Sequence, residues 1–112
     1  MKNGLNVIVV LLLLTGLSSC GIGIPKGKEN YVGMWTSETM TLNIDENGKV
    51  EYKRQVTDVS SKSVNGPIQK FDGDNFVVGA LGIETTFVVS KPPHEEEGTI
   101  KMTVDGIELT KQ

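Results

Sequence analysis

Apolar and polar residues alternate with a period of two along most of the chain after residue 30. Met40, Leu42 and Ile44 alternate with Thr41, Asn43 and Asp45, and Val50 and Tyr52 resume the alternation beyond Asp45-Glu46-Asn47-Gly48. Side chains on an extended strand point to opposite faces in turn, so the pattern predicts half-buried strands and the Asp-Glu-Asn-Gly interruption a hairpin. The loop length follows from register. A two-residue loop at Asn47-Gly48 sets apolar Ile44 against Glu51. A three-residue loop of Glu46, Asn47 and Gly48, with Gly48 left-handed, instead pairs Ile44 with Val50 and Leu42 with Tyr52, and this arrangement is expected. At Val104-Asp105-Gly106-Ile107 the central Asp-Gly favours a tight primed turn, which pairs Val104 with Ile107 and Met102 with Leu109.

Between these hairpins, Pro67–Phe71 and Phe76–Val78 flank a further turn at Asp72-Gly73-Asp74-Asn75, and Gly79–Gly82 leads into a strand over Ile83–Ser90. Pro92-Pro93 is expected to stop that strand, because neither residue donates to a ladder, and His94–Gly98 reads as a polar loop before Thr99. Thr57–Gly66 is rich in Ser, Lys and Asn and is either a long loop or the weakly paired ends of two strands. No segment in this part has a helical apolar stripe, and there is no internal repeat beyond the hairpins. The sum is an all-β domain, 31–112, of about seven or eight short antiparallel strands. Such a meander curls into a small up-and-down barrel or a flattened sandwich.

The first twenty residues follow a different pattern. Lys2 is followed by an uninterrupted apolar run from Val7 to Leu14 and then by small or mildly polar residues to Ser19, the three-part layout of a secretory signal. A spanning helix needs about 20 mostly apolar residues, and Gly16, Ser18, Ser19 and Gly21 end this segment short of that. Leu17-Ser18-Ser19-Cys20 then resembles the lipobox of bacterial lipoproteins. That resemblance implies cleavage before Cys20, a diacylglyceryl group on its thiol and further acylation of the new amino group. Two or three chains, at about 0.8 kcal/mol per buried methylene, hold a protein on a bilayer essentially permanently. Residues 1–19 are accordingly expected to be a removed signal peptide. Residues 20–30, with three glycines and Pro25 after the cysteine, are expected to be a lipidated residue and a flexible tether. Gly21 stands where Asp marks inner-membrane retention in many Gram-negative bacteria, which implies the cell envelope and, in a host that has one, the periplasmic face of the outer membrane.

The order of elements from Tyr31 on resembles small lipocalin-like bacterial lipoproteins. Tyr31-Val32-Gly33-Met34-Trp35 is similar to their Gly-x-Trp first strand, and Met102–Leu109 to their final hairpin. The resemblance implies a structural Trp35 closing one end of a barrel. The chain is far shorter than a true lipocalin and has no C-terminal helix, which argues against a roomy cavity.

Composition removes several function classes. The formal charge is −3 over 112 residues, with 14 acidic and 11 basic residues interspersed, so no basic cluster is available for nucleic acid. A single cysteine excludes an internal disulfide, and its neighbours Ser19, Gly21 and Gly23 offer no apolar packing for a buried thiol. His94 is the one general base suited to neutral pH. With Glu95, Glu96 and Glu97 it matches no metal-ligand spacing and reads as a solvated loop. Ser60, Ser61, Ser63 and Ser90 have no acid and base at a recognised spacing. No catalytic residue, metal or cofactor other than the lipid on Cys20 is therefore expected, and the chain does not read as an enzyme. Two readings remain. The favoured one is a protein-interaction or envelope-maintenance module that presents an edge strand or loops to an envelope protein. The alternative is a binder of a small apolar ligand at a barrel mouth lined by Phe76, Leu81 and Phe87. Leu81, in a turn between Gly79-Ala80 and Gly82, is either an exposed contact or folded inward, and burial is the expected outcome.

Overall fold

A computed structural model describes residues 21–112. Residues 1–20, with the expected signal peptide and Cys20, lie outside the described residues. After a single 3-10 turn at Glu29–Tyr31 the chain forms β1 (Gly33–Thr36), β2 (Met40–Ile44), β3 (Lys49–Thr57), β4 (Ser60–Asp72), β5 (Asn75–Ala80), β6 (Ile83–Phe87), β7 (Val89–Glu96), β8 (Thr99–Val104) and β9 (Ile107–Lys111). All nine strands join one sheet in the order β6-β5-β4-β3-β2-β1-β9-β8-β7. Every neighbouring pair is antiparallel. The sheet is strongly curled into a half-barrel, and its order is that of a meander.

Turn chemistry sets the registers. In the β2–β3 loop Asp45 Oδ1 accepts from the N–H groups of Asn47 (2.8 Å) and Lys49 (2.9 Å). Gly48 takes φ +87°, and Ile44 faces Val50 and Leu42 faces Tyr52. A side chain at Gly48 is excluded twice, by this φ and by the backbone of Gly23, which would lie 2.9 Å from its Cβ. At the other end Asp105 (φ +50°) and Gly106 (φ +82°) form a primed turn that pairs Val104 with Ile107 and Met102 with Leu109.

The closure depends on β6 and β7. Alternation along the sheet makes the two run in the same direction, and only Val88 separates them. One extended run therefore pairs with β5 through its first half and with β8 through its second, and it forms both edges of the sheet. The turn after β8 holds the crossing: Val88 N–H donates to Asp105 Oδ1 (2.9 Å), and Asp105 N–H donates to the Val88 carbonyl (2.7 Å). Val89 N–H donates to Asn75 Oδ1 at the start of β5 (2.7 Å). The strand read from the sequence as Ile83–Ser90 is this run, and its division into two elements accounts for the ninth strand.

The concave side is filled by apolar side chains, among them Trp35, Phe76, Phe87, Leu42 and Leu109, all essentially without solvent exposure. Full burial of such side chains contributes about 1.5–3 kcal/mol each. Trp35 Nε1–H donates to the Tyr31 carbonyl (2.9 Å), so its one polar atom is satisfied inside the core.

Two sequence expectations are revised. Strand β7 does not stop at Pro92-Pro93. It continues through them with register shifts on either side of Lys91, because it is an edge strand whose outer N–H groups need no partner. The expected polar loop over His94–Gly98 shrinks to a two-residue turn, Glu97-Gly98, since Glu96 already pairs with Thr99. Of the two forms open to residues 57–66, the structure has paired strand ends, with Thr57 opposite Ser60. The residues expected to form a tether lie along the domain. Ile22 N–H donates to the Ile68 carbonyl (3.2 Å), Ile24 packs against the core, and Lys28 Nζ donates to the Gly73 carbonyl (2.9 Å).

Candidate interaction edge and groove

Strand β6 reads Ile-Glu-Thr-Thr-Phe, four of its five residues β-branched or aromatic, which suits a pleated surface. Ala80 and Ile83 flank the two-residue Leu81-Gly82 turn and so form a hydrogen-bonded pair, as do Val78 with Thr85 and Phe76 with Phe87 two and four positions on. The intervening Glu84 and Thr86 therefore direct their N–H and C=O groups away from β5. No other backbone group takes them up among the described residues.

The two sheet edges differ in kind. Strand β7 carries Lys91, Pro92, Pro93, His94, Glu95 and Glu96 and two register shifts, which are the devices that keep an edge from pairing with another chain. Strand β6 has one charge, Glu84, no proline and no bulge. At its start, Leu81 is 100% exposed and Ile83 72% exposed. Leu81 also holds φ +58°, in the left-handed region, followed by Gly82 at φ +81°. For a bulky L-residue that conformation costs about 1–2 kcal/mol. The β5–β6 tip thus displays an apolar side chain at the expense of local strain.

Hollows lie on both sides of this hairpin. On the concave face an open groove of about 300 Å³ runs between β4 and β6, lined by Val64, Val78, Ala80, Ile83 and Thr85 with Ser63 and Asn65 at its rim. On the other face a shallow depression of about 440 Å³ is bounded by Gln69, Glu84 and residues 79–83.

Of the three residues expected to line a ligand mouth, two come together and Leu81 lies apart. Phe76 and Phe87 face each other across β5 and β6, stacked with centroids 5.0 Å apart, and Tyr52 meets Phe87 edge-on at 4.9 Å. Both phenylalanines are core residues that occupy the interior. Leu81 is outside it at the hairpin tip, which corrects its expected burial. The edge residues Glu84 and Thr86 were not singled out by sequence reasoning. The available signal was an unguarded β-branched run after a tight turn, beside a second run loaded with proline and charge.

His94 sits on β7, its Nδ1 2.9 Å from the Pro92 carbonyl and its Nε2 3.4 Å from Glu96 Oε1. Among the described residues no three His, Cys, Asp or Glu side chains are grouped to hold a metal ion. No family model, curated protein or solved structure matches the chain.

Proposed function

We propose that the protein is a membrane-anchored envelope lipoprotein whose β domain is a protein-interaction module, taking its partner by strand addition along β6. The observation that carries this reading is the contrast between the two edges, one guarded by prolines, charges and bulges and the other open over Ile83–Phe87. A partner strand gains hydrogen bonds from the outward groups of Glu84 and Thr86, each worth about 0.5–1.5 kcal/mol net. The exposed Leu81 and Ile83 add apolar contact of the kind that fixes register in strand addition. The anchor rests on Leu17-Ser18-Ser19-Cys20 and the apolar run before it.

A photo-crosslinking amino acid at position 86, in the chain expressed in its native cells, is expected to capture one envelope protein, and the same group at position 95 on β7 to capture none. Thr86→Pro removes an outward donor without touching the β5 ladder, and should abolish interaction with that partner. Equal capture at both edges, or none, overturns the module. Mass spectrometry of the mature protein tests the anchor separately, and an unmodified Cys20 sulfur overturns it.

The alternative, a binder of a small apolar ligand, draws support from the groove beside Val64, Val78, Ala80 and Ile83. It is the less favoured reading because Phe76 and Phe87 occupy the interior where such a ligand would be enclosed.

A further inference from the structure

We infer that the strand taken up by β6 is the β6 of a second copy of this chain, paired antiparallel about a two-fold axis passing through Thr85. The inference deepens the interaction-module reading and rests on it.

The argument is one of register. Any antiparallel partner of β6 must bond to the outward-facing Glu84 and Thr86, so a symmetric self-pair has three candidate centres. Centred on Glu84, the pair sets Glu84 directly opposite Glu84 of the second copy, and like charges facing across strands are destabilising. Centred on Thr86, it requires the N–H and C=O of Val88 to bond to Glu84 of the second copy, but both are already engaged by Asp105. Centred on Thr85, each Glu84 faces Thr86 of the other copy as a hydrogen-bonded pair. All four outward N–H groups and all four outward carbonyls, two of each per copy, are then satisfied.

The side chains agree with that choice. Thr85 faces Thr85 of the second copy as a close non-hydrogen-bonded pair, and threonine pairs at such sites are favourable. Ile83, 72% exposed in one copy, lies opposite Phe87 of the other. The same register sets Gly82 of each tip opposite Val88 of the other copy, itself 50% exposed, so the turn that carries Leu81 lies beside that residue. The contact is isologous and closed, and it leaves the guarded edge β7 outward on both copies.

Five residues per strand form a contact smaller than the roughly 1,200–2,000 Å² of stable interfaces, so the pair is weak between free molecules. Confinement of both copies to one bilayer raises their effective concentration, as tethering does generally, and this is where self-pairing is expected.

The test uses the full chain in its native membranes, with Thr85→Cys and Thr86→Cys compared after oxidation with copper phenanthroline. Residues facing each other in a non-hydrogen-bonded pair have Cα atoms about 4.5 Å apart, within disulfide range. The position-86 side chains point to the opposite face and are offset by two residues. Thr85→Cys is expected to give a reducible dimer at least tenfold in excess of Thr86→Cys and of the parent chain. Adding Thr86→Pro should lower that dimer at least tenfold. Reduced Thr85→Cys protein melting with the parent establishes that the fold is intact. Equal dimer at both positions, no dimer at either, or dimer insensitive to Thr86→Pro overturns self-pairing. Photo-capture of a different protein at position 86 without a Thr85→Cys dimer also overturns self-pairing while leaving the interaction module standing.

Discussion

Leu81 shows most directly what a single residue is doing here. Its side chain is wholly exposed, packs on nothing and sits at φ +58°, where asparagine followed by glycine is the preferred pair. Leu81→Asn keeps the turn and removes the strain, so it should stabilise the domain by about 1 kcal/mol, which raises Tm by about 4–8 °C in a domain of this size. A thermal melt followed by circular dichroism checks this, and an unchanged or lower Tm contradicts the strain. The same variant should weaken any interaction that uses the tip, a trade common at functional positions. Exposure of Leu81 was not legible in the sequence, because leucine is buried on average and nothing local announces that a turn overhangs two hollows. Phe76 and Phe87 pose a related question. Both were recognised as inward-facing, but whether inward means lining a cavity or filling it depends on their stacking across the strand pair.

Hairpins were the most legible elements. The loops at residues 46–48 and at Asp105-Gly106 follow from turn chemistry plus the demand that apolar residues face each other. The fate of Pro92-Pro93 did not follow, since proline forbids a central strand and permits an edge, and the position of a strand in the sheet is not local information. The β8–β9 turn also has a role its Asp-Gly signature does not reveal: Asp105 seals the crossing at Val88 through its carboxylate and its own N–H. Asp105→Ala loses the charged acceptor and leaves a side chain less suited to φ +50°, at a cost of about 1–3 kcal/mol. Asp105→Asn should retain most of the stability. Urea unfolding measures both, and the Val88 amide should exchange hydrogen faster in the alanine variant alone.

The molecule as a whole is held at one end by Tyr31, which links the segment before β1 to the β4–β5 turn. Its Oη–H donates to the Asp74 carbonyl (2.8 Å), and its ring meets Phe71 and Phe76 edge-on. Burial, with the nearby Asp74 carboxylate, pushes its pKa from 10 up to about 12. In the unfolded chain the phenol ionises first, so the stabilisation is complete below pH 10 and is lost as pH rises from 10 toward 12. Urea unfolding across pH 8–12 should show that decline, and Tyr31→Phe should flatten it while costing about 1 kcal/mol at neutral pH through the lost hydrogen bond. At this scale the class, the antiparallel meander and its curl were legible, because they are sums of local periodicities. That one run of chain serves both edges was not, since Val88 is indistinguishable from any other strand residue until its partners are known. The pairing of β1 with β9 sets when the sheet can be finished. Trp35 lies opposite Lys111, and Gln112 N–H donates to the Met34 carbonyl, so the earliest strand is completed by the latest. A nascent chain emerging from its N-terminus therefore leaves one side of β1 unpaired until β9 has appeared. Closing the loop between β1 and β9 carries an entropic cost that the local hairpins do not, so this pairing is expected to form after theirs.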